Sequence, residues 1–323
     1  MRVAVTGATG FIGRNLCRYL HKGGHEVVAF IRSPAPELEA EGIGVRIGDV
    51  TDAASIAPGF QGVEVVIHLA AFFNRPGATP DEYRAVNVEG ARNVAAAARS
   101  CGARRLIHCS TVGVALGGPA PHSESSPYAP PAWDSYESTK AEGERAVLDF
   151  SKETGFPVVV IRPAQVYGPG DVSKAKFYRL IKRGILVRPG STLKHLIYID
   201  DLCRAFELCL DAPEAEHEIF IIAGRAPTPL RELIGIAARE LGVRTPRIFL
   251  PAGPVVWLCT AIEAFARLVG VNPPVVRRSM DFFVRSVEFD VTKAKEKLGF
   301  ENSVDVETGV ARTIAWYRKE GLV

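Results

Sequence analysis

The chain opens on an apolar run, Arg2–Thr6, that passes directly into Thr6-Gly7-Ala8-Thr9-Gly10-Phe11-Ile12-Gly13 and then into a helical pattern ending near His21. A strand, three glycines and a helix in that order leave few folds open. Glycine is needed there because a Cβ would obstruct the turn, an approaching phosphate or the close contact of helix and strand. Backbone N–H groups at a helix N-terminus favour a pyrophosphate. The spacing is G-x-x-G-x-x-G, not the common G-x-G-x-x-G. Its position nevertheless points to dinucleotide binding by Gly7, Thr9, Gly10, Phe11, Ile12 and Gly13.

The first half continues the pattern, alternating strand-like and helix-like runs. Strands are expected at Arg2–Thr6, Glu26–Ile31, Val45–Ile47, Val63–His68, Arg105–Cys109 and Pro157–Ile161. Each is apolar almost throughout, as strands covered on both faces are. Helices are expected at Phe11–His21, Asp81–Ser100 and Ser135–Thr154. In the second half Leu196–Ile199 and Glu218–Ile222 look like strands, and Pro229–Leu241, Pro254–Val269 and Val304–Glu320 like helices. The fold class is α/β, a doubly wound parallel sheet of the Rossmann type with a smaller C-terminal lobe for substrate. Residues 1–165 form the dinucleotide-binding domain, with 195–223 returning to it; 166–194 and 224–323 form the smaller lobe. Both Leu196–Leu210 and Glu218–Ile222 are expected to rejoin the large sheet.

Composition narrows the class. A chain of 323 residues with 47% hydrophobic and 23% charged side chains can bury a sizeable core and is not disordered. The net charge of +3, with scattered Lys and Arg, gives no footprint for nucleic acid. The six cysteines form no C-x-x-C pair, and five lie in apolar or helical runs, suiting buried thiols in a reduced, cytoplasmic setting. The N-terminus opens on a strand with no signal-peptide pattern. Val255–Val269 is strongly apolar but carries Glu263 and Arg267, and spanning a bilayer takes about 20 apolar residues. No transmembrane segment is expected; this helix packs on the body, on a partner subunit, or peripherally on a lipid surface.

The second strand bears on cofactor choice. An acid at its tip would hold a ribose 2′-OH and indicate NAD. Here Val27-Val28-Ala29-Phe30-Ile31 ends in Arg32-Ser33, and a guanidinium suits a 2′-phosphate. NADP is favoured, with NAD the alternative. Asp49 and Val50 are placed to meet the adenine, although Asp49 also suits the start of a turn. Leu69, Ala70 and Ala71 offer small residues where the cofactor passes the fourth strand.

Tyr136-Glu137-Ser138-Thr139-Lys140 sets a phenol and an ammonium on one helix face. Ionising a phenol near pH 7 costs about 4 kcal/mol, which a neighbouring cation offsets. Tyr136 can then exchange a proton with a substrate oxygen. The motif alone is weak, since Tyr178-Arg179-Leu180-Ile181-Lys182 matches equally well and reads as a surface helix. Only Tyr136 follows a hydroxyl pair, Ser110-Thr111, at a strand tip, where a hydroxyl can position the substrate oxygen.

The combination of Thr-Gly-x-x-Gly-x-x-Gly, Ser-Thr at a strand tip and Tyr-x-x-x-Lys resembles the extended short-chain dehydrogenase/reductases, the epimerase/dehydratase family. Asn87-Val88-Glu89-Gly90, Arg162-Pro163, Tyr167-Gly168-Pro169-Gly170-Asp171, Tyr198-Ile199-Asp200-Asp201 and Phe289-Asp290-x-x-Lys293-Ala294 extend the resemblance over most of the chain. It implies that Tyr136 is the acid/base, that Lys140 holds the nicotinamide ribose, that Thr111 (or, second, Ser110) is the catalytic hydroxyl, and that Pro163 meets the nicotinamide. It also implies a homodimer through helices Asp81–Ser100 and Ser135–Thr154. Two departures stand out: Val114-Ala115-Leu116 replaces the family's Val-Tyr-Gly, and Ile31-Arg32 replaces the strand-two acid of members that retain NAD.

Asp200 and Asp201 suit the N-cap of a helix Leu202–Leu210 better than acid/base work. The seven histidines show no ligand spacing for a metal, and none is expected. For the substrate, Lys194, Arg277, Arg278 and Arg285 are available to a nucleotide diphosphate but read individually as surface charges. The apolar stretches Pro254–Val269 and Met280-Asp281-Phe282-Phe283-Val284 resemble the 3β-hydroxysteroid dehydrogenase and dihydroflavonol reductase branch. They favour hydride transfer on a secondary alcohol or ketone with an apolar ring. The alternatives are a nucleotide-diphosphate-sugar epimerase or dehydratase recycling its NAD, and a non-catalytic NADP-sensing regulator.

Overall fold

The computed structural model describes residues 1–73, 77–131, 134–187, 191–246, 248–250, 252–268 and 282–323. Strands β1 (Arg2–Thr6), β2 (Glu26–Ile31), β3 (Gly44–Ile47), β4 (Val65–His68), β5 (Arg105–Cys109) and β6 (Val158–Pro163) share one sheet with a late strand, Ile219–Ile222. Short strands pair outside it: β7 (Gln165–Tyr167) with β10 (Leu196–Tyr198), β8 (Ile185–Val187) with β13 (Ile248–Leu250), and β9 (Leu193–Lys194) with β12 (Thr228–Pro229). With the late strand as β11, the large sheet runs β11-β6-β5-β4-β1-β2-β3, and every pair in it is parallel. After β1 the chain builds outward to β3 and then crosses back to β4. The tips of β1 and β4 therefore flank the point where winding reverses, the usual place for a ligand.

Period-two packing explains why these runs are strands. Val3 and Val5 face one apolar core with Leu16 and Leu20 of α1 (Phe11–Lys22) and Phe206 of α8 (Ile199–Leu208). Ala4 and Val66 face the other, with Val94 of α5 (Gly90–Ser100) and Val147 of α6 (Ser135–Thr154). Buried Leu16, Cys17 and Leu20 form the helical stripe of α1, and each fully buried Leu contributes about 2 kcal/mol. The other helices are α2 (Pro36–Ala40), α3 (Ala53–Gly59), α4 (Pro80–Arg84), α7 (Ala175–Arg183), α9 (Leu230–Leu241), α10 (Ala252–Leu268), α11 (Thr292–Leu298) and α12 (Val306–Lys319).

Several expectations change. The third strand is an edge and largely exposed, with Ile47 at 54% exposure, because nothing lies beyond it in the sheet order. The helix expected over Asp81–Ser100 is α4, a π-helical segment Ala85–Glu89 and α5. β11 closes the sheet beside β6, but Leu196–Tyr198 pairs with β7 instead of rejoining it. The following helix starts early, at Ile199, so Asp200 and Asp201 lie in its first turn and neither is its cap. Asp201 is buried and accepts hydrogen bonds from the backbone N–H groups of Ser303 and Val304, at 2.9 and 3.2 Å, fastening the C-terminal segment to α8.

Five cysteines are buried and Cys101 is half-buried; all six are free thiols. Among the described residues no helix is long and apolar enough to cross a membrane. The apolar helix ends at Leu268; Val269, Arg277, Arg278, Met280 and Asp281 lie outside the described residues.

Candidate active site

The loop after β1 is tight against its neighbours. Gly7 sits at φ +69°, and a Cβ there would fall 2.7 Å from the backbone N of Ala70. A Cβ on Gly13 would fall 2.2 Å from the Gly7 carbonyl oxygen. Both positions need glycine, one for its backbone angle and closeness to the β4 tip, the other for the closeness of α1. Thr6 Oγ1 fastens the same two tips: it accepts from Ala70 N–H at 3.1 Å and shares a 2.8 Å hydrogen bond with His68 Nδ1. Gly10 begins α1 without a side-chain cap, and no acid stands in the first turn. The first amides of the helix are thus left for an anion.

In front of this loop lies a groove of about 230 Å³. Gly7, Thr9 and Gly10 form one wall, Arg32, Asp49 and Val50 a second, and Leu69, Ala70 and Ala71 a third. Arg32 is exposed at the end of β2, with no carboxylate on that strand tip. Asp49 Oδ1 accepts from Thr51 N–H and its hydroxyl, both at 2.9 Å, so its turn role and its place in the groove coexist. Phe11, Ile12 and Gly13 stand behind the wall in α1, with Phe11 and Ile12 packed against the core. Pro163 is the buried last residue of β6. The cradle of glycine and backbone amides fits a dinucleotide pyrophosphate.

At the β5 tip two adjacent hydroxyls part ways. Ser110 is buried, and its Oγ donates to the Glu144 carboxylate. Thr111 is half-buried and accepts from Gly113 N–H at 3.2 Å, which leaves its own hydroxyl proton for a donor role. Helix α6 presents the other two groups. Asp134 caps it by accepting from the N–H of Tyr136 and Glu137, at 3.0 and 3.2 Å, which sets Tyr136 in the first turn. Tyr136 is half-buried, and its ring packs edge-on with Phe73 at 4.8 Å. Lys140, one turn on, is buried and donates from Nζ to the Cys109 carbonyl at 2.6 Å.

Burial lowers the Lys140 pKa, opposed by Cys109 and Glu144. Two buried imidazoles, His68 on β4 and His108 on β5, lie with ring centroids 5.3 Å apart. Burial, then the Lys140 cation, pushes His68 down to about 3 and His108 well below its ordinary value, so both are neutral near pH 7.

Sequence reasoning missed the support beneath this site. Glu144 and Arg162 form a fully buried pair, Nη2 to Oε1 at 2.6 Å, joined by the Tyr128 hydroxyl at 2.5 Å. Burial and Glu144 together push the Tyr128 phenol up to about 12. The pair ties α6, the β5 tip, β6 and the loop at Tyr128 together. Its signal was present: Glu144 is one turn beyond Lys140, and Arg162 precedes Pro163.

Other candidates resolve differently. Tyr178 is buried, not on a surface, and packs on Tyr317. Lys194 is no surface charge. It is buried, donates from Nζ to the Arg285 carbonyl at 2.5 Å, and lies 5.0 Å from the Phe282 ring centroid. Arg285 is half-buried. Among the described residues no group of three His, Cys, Asp or Glu gathers as a metal site.

A doubly wound sheet, a glycine cradle at its switch point and a Thr/Tyr/Lys set beside it define the class: nicotinamide-dependent enzymes of the extended short-chain type. The chain belongs to the NAD dependent epimerase/dehydratase family, whose pattern it matches over residues 3–223. It is 31% identical to 2-alkyl-3-oxoalkanoate reductase of Stenotrophomonas maltophilia (strain K279a), over 97% of this chain and 98% of that protein. It is 29% identical to 3 beta-hydroxysteroid dehydrogenase/Delta 5-->4-isomerase of Mycobacterium tuberculosis (strain ATCC 25618 / H37Rv), over 98% and 90%. The Bordetella bronchiseptica enzyme WbmG, solved in complex with NAD and UDP, superposes with a TM-score of 0.79 at 26% identity, covering 100% of this chain and 96% of that one.

Proposed function

We propose that the chain is an NADP-preferring reductase or dehydrogenase acting on a secondary alcohol or ketone with an apolar body, a ring in the first instance. The observation that carries this reading is a helix bearing Tyr136 and Lys140, with Lys140 Nζ on the Cys109 carbonyl at the β5 tip that leads to Thr111, together with a dinucleotide groove whose β2 tip offers Arg32 and no acid. Half-exposed phenyl surface at Tyr136 supports an apolar substrate, as do the oxoalkanoate and hydroxysteroid substrates named for two relatives.

Gly7, Gly10 and Gly13 with the first amides of α1 would hold the pyrophosphate, Arg32 the 2′-phosphate and Lys140 the ribose. Bound there, a reduced nicotinamide would supply hydride for the carbonyl carbon. As the C=O π pair moves onto oxygen, Tyr136 Oη donates its proton to that oxygen, and Thr111 Oγ donates a hydrogen bond that positions it. The buried Lys140 ammonium favours the phenolate left on Tyr136, offsetting part of the roughly 4 kcal/mol of ionisation near pH 7. In the oxidative direction the phenolate takes the proton back from the alcohol. The smaller lobe built from 166–194 and 224–323 would close over the substrate, in a homodimer of a reducing, cytoplasmic compartment.

A nucleotide-diphosphate-sugar epimerase with recycled NAD is the second reading, favoured by the likeness to WbmG with its NAD and UDP. Against it, Lys194 is committed to the Arg285 carbonyl and the Phe282 ring.

The test is direct. The protein is purified without added nucleotide, its bound dinucleotide identified, and ketone reduction followed with NADPH and with NADH. Little retained nucleotide, faster turnover with NADPH, and a loss of about 10³-fold in kcat for Tyr136→Phe are expected. Near-stoichiometric retained NAD without ketone turnover sinks the reductase reading in favour of the epimerase.

A further inference from the structure

We infer that Phe73 forms the substrate-side wall of the active site and sets its preference for apolar ketones. The inference rests on the reductase reading above. It begins with the chain leaving β4. Leu69–Ala71 line the dinucleotide groove, and the next two residues are both phenylalanines. Paired phenyls in a surface loop would ordinarily turn inward together. Here they separate. Phe72 packs edge-on against buried Tyr83, with centroids 4.9 Å apart at 84°. Phe73 packs edge-on with Tyr136, at 4.8 Å and 79°, and remains 53% exposed.

A buried amide fixes that placement. The Phe72 backbone N–H donates to Asn87 Oδ1 at 2.8 Å, and its carbonyl accepts from Asn87 Nδ2 at 3.2 Å. The same Nδ2 donates to Thr139 Oγ1 at 3.0 Å, one helical turn from Tyr136. Asn87 is 1% exposed and belongs to the π-helical segment, so the clamp is part of the core. The loop thus keeps a fixed register against the helix that carries the phenol. A phenyl held half in water beside a proton-transferring group is placed to be covered when a substrate enters. Covering it favours apolar substrates in proportion to the apolar surface they bring. It does little for a polar sugar diphosphate. The edge-to-face contact sets Phe73 against the Tyr136 ring, so a substrate reaching the phenol would meet the phenyl as well.

The experiment compares wild type, Phe73→Leu and Phe73→Ser in NADPH-dependent reduction of butanone and of 2-decalone. In Phe73→Ser the preference for 2-decalone over butanone, as a ratio of kcat/KM, should fall about tenfold, with the loss in the decalone KM. Phe73→Leu should keep most of it, because an apolar side chain still covers the wall. The KM for NADPH should stay within about twofold, given that Phe73 stands outside the groove. If wild type prefers 2-decalone and Phe73→Ser keeps that preference, or shifts only the KM for NADPH, the assignment of Phe73 fails while the reductase reading stands. If wild type reduces neither ketone, both fall.

Discussion

Ser110 and Thr111 are chain neighbours with the same functional group, and their surroundings assign them different work. Ser110 Oγ is spent on the Glu144 carboxylate, inside a network that also holds Arg162 and Tyr128. Among the described residues the Thr111 hydroxyl accepts from a local amide alone and keeps a proton to give. Thr111→Ala should therefore lower kcat by about 10²-fold, the usual loss on removing a donor to a developing oxyanion. Ser110→Ala should leave kcat within a few-fold and destabilise the protein by about 1–2 kcal/mol, since Glu144 loses a buried donor. Steady-state kinetics and urea unfolding on the two variants separate the roles; the reverse pattern would make Ser110 the catalytic hydroxyl. The sequence could rank the pair only by resemblance, because the deciding partner lies 34 residues away and reaches Ser110 only through the fold. That Tyr136 and Lys140 share one helix was legible because helical spacing is local. The burial of Lys194 was not, since it comes from β9 meeting the segment around Phe282.

At the scale of elements, strands were easy to find where both faces are covered and misleading where sheet order decides exposure. β1 and β4 read as buried and are; β3 reads the same way but ends the sheet. Sheet order also brings the histidines of β4 and β5 together, with neither nitrogen of His108 finding a hydrogen-bond partner among the described residues. Both rings titrate below their unfolded value of about 6.5. Above that pH neither the folded nor the unfolded state binds the proton, and their contribution is constant. As pH falls below about 6.5 the unfolded chain binds protons that the folded one refuses, so stability drops. For His68 the drop continues until about 3, where the folded ring also titrates. The slope is about 1.4 kcal/mol per pH unit for each ring. His108→Leu removes one ring together with its unpartnered nitrogens. Between pH 6.5 and 5 the wild type should lose about 2 kcal/mol more than this variant, read from urea midpoints at each pH. Parallel pH profiles would mean that His108 is protonated in the folded protein.

For the whole molecule, two surfaces are candidates for a contact with a second copy. One is the outer face of α5 and α6, where Arg92, Ala96 and Arg145 are exposed and Leu148 is half-buried. The other is α10, whose Trp257, Leu258 and Phe265 are 72%, 52% and 65% exposed. The apolar character of α10 was legible from composition, but which side chains it leaves in water depends on the lobe beneath it. The resemblance to the family implies a dimer contact on α5 and α6. That pair is fastened to the sheet that carries the cofactor groove, so a contact there would brace Tyr136 and Lys140 from behind. A stable interface buries roughly 800 Å² on each partner, and a charge set in its centre opposes closure. Sedimentation equilibrium at micromolar concentration should give twice the 34.9 kDa chain mass for wild type. Ala96→Glu, an exposed change that leaves the core intact, should bring it to the single-chain mass, and Trp257→Ser should leave the dimer whole. Dissociation by Trp257→Ser alone would move the contact to the smaller lobe, where it would act on substrate entry and not on the helix that positions the phenol.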